Sequence, residues 1–207
     1  MASKTKKNNI SKSTIAIVVA IVAVLLIVLI TNIRNNNKSN VDVSALPVER
    51  MQIDASIDFN EPVEVVSSAD YYVVLKIDAV KGTEYRNEFT HEKDGKEVTH
   101  ADPYTHYEAT VLKSIKGDLP EDSKIEFVKS GGVAKDSKSV ILYENDSLPK
   151  ENSICVVALW KQDNGEMLAS GPNTSIDLEV NDLEELEENG KLDKLESYYE
   201  KAKSLEN

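Results

Sequence analysis

The chain has 207 residues, 24 basic against 36 acidic, and a single cysteine. So acidic a chain repels phosphate backbones, which excludes nucleic acid as a partner, and one cysteine closes no internal disulfide, so any core must hold by apolar packing alone. About 160 residues follow position 48, enough for one domain with its own core.

Residues 1–13 form a basic tail with Lys4, Lys6, Lys7 and Lys12 and no acid. Thr14 to Ile33 follows, with an unbroken apolar run from Ile15 to Ile30; about 20 such residues cross a bilayer as a helix. Cations ahead of the span place the N-terminus in the cytoplasm and the rest outside, in contact with lipid only through residues 14–33. The run exceeds a secretory h-region and TNIRNNN offers no small-x-small cleavage site, so the expectation is an uncleaved signal-anchor. Residues 34–207 then carry 20 cations against 36 acids, a formal charge of −16 on the extracytoplasmic side. Residues 34–48, rich in Asn, read as a tether.

The segment 49–180 carries strand patterns. Met51, Ile53, Ala55, Ile57 and Phe59 alternate with polar residues, predicting a strand or extended segment with one buried face. Asn60 before Glu61-Pro62 predicts an N-cap and a short helix to Ser68. In Tyr71 to Val80, Val73, Leu75, Ile77 and Ala79 share one face and Tyr72, Lys76 and Asp78 the other. Tyr104 to Lys116 alternates likewise and ends at the turn Lys116-Gly117-Asp118-Leu119-Pro120. Lys124 to Lys129 is a third strand stopped by Gly131-Gly132, and Ser139 to Tyr143 a short fourth. Ile154 to Trp160 is apolar on both faces, the pattern of a strand covered from two sides. Asp163-Asn164-Gly165 predicts a turn into Met167 to Ser170, and Ser175 to Val180 one more edge. Residues 181–207 change to helical period: a capping box from Asn181 and Glu184, a break at Asn189-Gly190, and a stripe of Leu192, Leu195, Tyr199 and Ala202 that packs on the β domain.

Ser68-Ala69-Asp70 leading into YYVVLKIDAV, then HYEATVLKSIKGDLPEDSKIEFVKSGG and ICVVALW, resembles bacterial extracytoplasmic domains with the OB-type barrel of the metalloproteinase-inhibitor and netrin-module class, over roughly residues 60–170. The resemblance implies a mainly β fold: a five-stranded Greek-key barrel with a short preceding helix and a helical tail, whose grooves serve as binding surfaces. It does not carry over protease inhibition, which in that class depends on an N-terminal, disulfide-linked cysteine ridge.

The candidate chemistry lies between Lys81 and His106. If Asp94-Gly95 forms a two-residue hairpin turn, Lys93 pairs with Lys96, His91 with Val98 and Phe89 with His100, setting His91 and His100 diagonally on one face. With Asp102 or His106 as a third ligand, that set would suit zinc or another transition metal. Trp160 is a candidate for ligand stacking, and Cys155, inside the most apolar strand, is a core residue. Lys129-Ser130-Gly131-Gly132 is read as a barrel corner rather than an anion cradle, and Asp182 to Glu188 as a solvated acidic face rather than a calcium site. Ser147-Leu148-Pro149-Lys150 lacks the companion motifs of penicillin-recognising enzymes. No catalytic residue is assigned. The expectation is a non-enzymatic, membrane-anchored binding protein for a protein or envelope ligand, without a cofactor. The alternatives are a metal-binding or metal-dependent enzyme built on His91, His100, Asp102 and His106, and a scaffold subunit of a membrane complex.

Overall fold

A computed structural model of the chain describes residues 45–205; the basic tail, the 14–33 span and residues 34–44 of the tether lie outside the described residues. Strand β1 (Val48–Met51) runs parallel to a later strand, with Val48 opposite Val140. The expected strand beyond it does not form: residues 52–58 are not in a strand, yet Phe59 is buried and Ile57 packs beside it. Helix α1 (Pro62–Ser68) begins one residue later than the expected cap allows. Proline takes its first turn, so the N-cap falls on Glu61 without a side-chain bond, while the backbone and side-chain amides of Asn60 both donate to Asp58.

Strand β2 (Tyr71–Lys93) and β3 (Lys96–Lys116) form one long antiparallel hairpin. Its turn is Asp94-Gly95, with φ of 54° and 74°, the left-handed pair of a two-residue turn. The register matches expectation: Lys93 opposes Lys96, His91 opposes Val98 and Phe89 opposes His100. The sequence stops alternating after Val80 because from there outward most side chains of both strands are half-buried or exposed, so no apolar face is needed.

β4 (Lys124–Ser130), β5 (Gly132–Val133), β6 (Val140–Tyr143), β7 (Ile154–Lys161), β8 (Met167–Ala169) and β9 (Ser175–Asp177) complete the strands. β1, β6 and β5 make a small sheet, and the others a six-stranded one in the order β2-β3-β4-β8-β7-β9. β2 also pairs with β7, so the pairings run β2-β3-β4-β8-β7 and return to β2; all are antiparallel except β4 with β8. The fold is mainly β.

Two apolar clusters lie on opposite faces of this sheet. Val73, Leu75 and Ile77 of β2 meet Tyr107 and Val111 of β3, Phe127 of β4 and alternate residues of β7. Their opposite-facing neighbours Tyr72, Val74, Val156 and Ala158 are covered by α1 and by the C-terminal helices α2 (Leu183–Glu188) and α3 (Lys191–Leu205). β7 is therefore buried on both faces, as its composition requires. Tyr72, expected on a solvated face, is 5% exposed because the helices cover it. The cap of α2 is Asp182, whose carboxylate accepts from the Glu185 amide at 2.8 Å; Glu185 in turn accepts from Asn181. Leu192, Leu195 and Ala202 of the tail stripe are buried against the sheet and Tyr199 partly so.

β4 ends at a corner. Gly131 has φ of 109°, its amide donates to Pro103 at 2.8 Å and its carbonyl accepts from the Thr105 hydroxyl at 2.7 Å, so the loop amides close the corner instead of cradling an anion. Beside it lies a fully buried ion pair that composition does not reveal. Lys129 Nζ donates to Asp146 Oδ2 at 2.6 Å, to the Gly171 carbonyl at 3.1 Å and to Thr174 Oγ1 at 3.1 Å. All three ammonium protons are satisfied, although burial pushes the pKa of Lys129 down against the pull of Asp146. Removing one buried partner strands the other charge, whereas removing both does not. Lys129→Met is expected to lower stability by about 3–5 kcal/mol. Lys129→Met with Asp146→Leu should recover most of that loss, as read from urea denaturation midpoints.

Candidate binding groove

β3 alternates strictly: Thr105, Tyr107 and Ala109 point inward, and Tyr104, His106, Glu108 and Thr110 outward. His106 lies opposite Gly82 on one side and Val128 on the other, at the middle of the β2-β3-β4 surface. Two adjoining hollows meet at His106 and Glu126. One, of about 260 Å³, is bounded by Lys81, Gly82, Thr83 and Glu84 of β2. The other, of about 370 Å³, is bounded by Phe127 and Val128 of β4 and by Asn164, Gly165 and Glu166 of the β7–β8 turn. A Cβ at Gly82 would meet nothing within 4 Å, so this part of the β2 wall opens onto the groove.

Charged side chains tie the walls of the groove together. His106 Nε2 lies 3.0 Å from Glu84 Oε2, Glu84 also pairs with Arg86, and Arg86 Nη2 reaches Glu166 Oε2 at 2.7 Å. The Arg86 guanidinium stacks over the Tyr104 ring at 4.3 Å. Asn164 Oδ1 accepts from the Glu166 amide at 2.9 Å and so shapes the turn that presents Glu166. Glu166 Oε1 is buried without a hydrogen-bond partner among the described residues. An unpaired buried acceptor costs free energy, and the carboxylates of Glu84, Glu126 and Glu166 give the lining its acceptor character. His106, held through Nε2, leaves Nδ1 for a ligand. The lining offers carboxylates, the Lys81 ammonium paired with Glu108, one imidazole and the Thr83 hydroxyl, and no cysteine or serine beside a base.

The residues singled out in the sequence do not gather at one point. His91 and His100 do meet, their rings 4.9 Å apart and 14° from parallel at the hairpin tip. Asp102 shares the face of His100 but accepts from Asn87 Nδ2 at 2.9 Å. His106 is six residues beyond His100 on the same extended strand, roughly 20 Å away, too far to share an ion. Among the described residues there is no group of three or more His, Cys, Asp or Glu placed to hold a metal. The four-residue metal set is corrected on that ground: strand rise separates what parity places on one face. Trp160 packs against the helix-side cluster and its indole N–H donates to the Ser68 carbonyl at 2.9 Å, at the end of α1, a structural duty. Cys155 is 1% exposed and burial pushes its thiol up to about 11, so it is an unreactive core residue.

Sequence reasoning missed Glu84, Arg86, Glu126 and Glu166. Each is one more charge in a charged chain, and only pairing across three strands and a turn brings them together. Partial burial pushes the Glu84 carboxyl up, but hydrogen bonds from Arg86 and His106 outweigh it and hold its pKa below the ordinary glutamate value. The native carboxylate thus binds its proton less readily than the unfolded one. Its contribution to stability is complete above the ordinary glutamate range and drains away as pH falls through the depressed value. An NMR titration should place the Glu84 midpoint below that of exposed glutamates, and Arg86→Ala should move it upward. No protein-family model matches the chain, and no curated protein matches it.

Proposed function

We propose that this protein is a non-enzymatic binding protein of a bacterial envelope, held by residues 14–33 in the cytoplasmic membrane with its acidic β domain outside. The β domain is read as an OB-type barrel. The ring of pairings β2-β3-β4-β8-β7, with one parallel contact between β4 and β8, supports that reading. So does the position of the groove, across β3 and β4 between the β2 wall and the β7–β8 turn.

The observation that carries the functional reading is the groove itself: two adjoining hollows lined by Glu84, Glu126 and Glu166, whose one lysine, Lys81, is paired with Glu108. Such a surface suits a protein or envelope ligand presenting a cationic or N–H donor group, and the overall negative charge speeds the approach of such a ligand.

Two experiments test this. A photocrosslinking residue at Asn164 should capture a discrete partner in native cells, while the same residue at Lys201, exposed on α3, should not; capture at neither or equally at both overturns the groove. Glu166→Lys should weaken capture at least about tenfold, the value of a lost charged hydrogen bond. Protease added to intact cells stripped of wall should degrade the β domain and spare residues 1–13; a β domain protected until lysis overturns the topology.

A further inference from the structure

The β2–β3 hairpin runs well past the last β7 pairing at Lys76 and ends in three stacked rings that the groove does not use. Phe89 lies 5.3 Å from His100 and 6.0 Å from His91, and the two imidazoles are 4.9 Å apart, all within 27° of parallel. Phe89 is 59% exposed, and the two histidines are exposed as well. Among the described residues neither imidazole is engaged in a hydrogen bond or ion pair. An exposed phenyl here buries little; what it does is hold two free imidazoles side by side.

We propose that His91 and His100 together chelate one borderline transition-metal dication, Ni(II), Zn(II) or Cu(II), with water in the remaining coordination positions. Two imidazole nitrogens on one such ion, each at about 2.0–2.1 Å, lie no more than about 4 Å apart. The ring centroids are 4.9 Å apart and the planes 14° from parallel, so the side chains are within reach of one ion, and each imidazole turns out of the stack about its own side-chain torsions to aim a nitrogen at it, with the backbone register unchanged. The Asp94-Gly95 turn and the pairings of His91 with Val98 and His100 with Phe89 fix that register, so both side chains stand on one face before an ion binds, which lowers the entropy cost of binding. Hard cations that require oxygen ligands find none converging here, since Asp102 is held by Asn87. Imidazole pairs favour the later first-row metals. The open positions make this a site that exchanges ligands rather than a closed structural one.

The site is independent of the groove, because His106 sits roughly 20 Å along the strand from His100. The test uses the full chain in mild detergent and a non-chelating buffer, titrated with Ni(II) or Zn(II) by calorimetry and by histidine-ring NMR. One equivalent should bind with a micromolar dissociation constant, and the His91 and His100 ring signals should respond together. His91→Ala and His100→Ala should each weaken binding at least about tenfold, while His106→Ala leaves it unchanged. Both substituted side chains are exposed on the ribbon, and an unchanged circular dichroism spectrum confirms the fold. Binding weaker than millimolar in the native chain, binding that survives both tip substitutions, or binding lost in His106→Ala overturns the site.

Discussion

The pairing of β2 on both edges is the constraint from which the remaining structure follows. Between Tyr71 and Lys76 it bonds to β3 on one side and β7 on the other, and its apolar side chains there are covered on both faces. Val73, Leu75 and Ile77 supply one cluster; Tyr72 and Val74 supply the other, which draws in α1, α2 and α3. Past Lys76 the β7 edge is gone. β3 stays paired with β4 as far as Thr105, opposite Thr83; beyond it β2 and β3 continue as a ribbon whose lower part leans on the small sheet, with the Tyr85 hydroxyl donating to the Val133 carbonyl at 3.1 Å, and whose tip is exposed on both faces. Core, groove and arm are three stretches of one hairpin, distinguished by what lies beside it.

Where the strand alternates, its outward residues become the groove. The same parity that sends Tyr107 and Ala109 into the core turns His106 and Glu108 outward, and β4 and the β7–β8 turn set Glu126 and Glu166 beside them. The network from His106 through Glu84 and Arg86 to Glu166 is partly exposed and adds little to stability. Its effect is positional: it holds charged groups from β2, β3 and the turn in fixed relation, the preorganisation that a binding surface needs. The buried Lys129–Asp146 pair works differently. It ties β4 to the segment after β6 and to the loop before β9, and it leaves no charge for a ligand.

Much of this was legible in the residues. The apolar run of Ile154 to Trp160 announced a strand buried on both faces, the stripe from Leu192 to Ala202 a helix packed on one, and Asp94-Gly95 a two-residue turn with its register. Between Lys81 and Pro103 the ribbon was legible only where the turn set its register, from Phe89 to His100; the rest was not, since a ladder with both faces in solvent needs no apolar alternation. Asn60 misled because a cap is set by where the first helical turn begins, and Pro62 set it one residue on.

The histidines mark the boundary between the two kinds of knowledge. Turn chemistry and strand parity are local, so the sequence by itself determined that His91 and His100 share a face across Asp94-Gly95, and that the chain carries a charge of −16 beyond an apolar span. Distance along a strand separated His106 from them, and contacts between residues up to 80 positions apart in the chain gave it Glu84, Glu126 and Glu166 instead. Local rules act through neighbouring backbone bonds and can be read from order alone. A groove made of scattered charges depends on which strands lie side by side, and only tertiary pairing decides that.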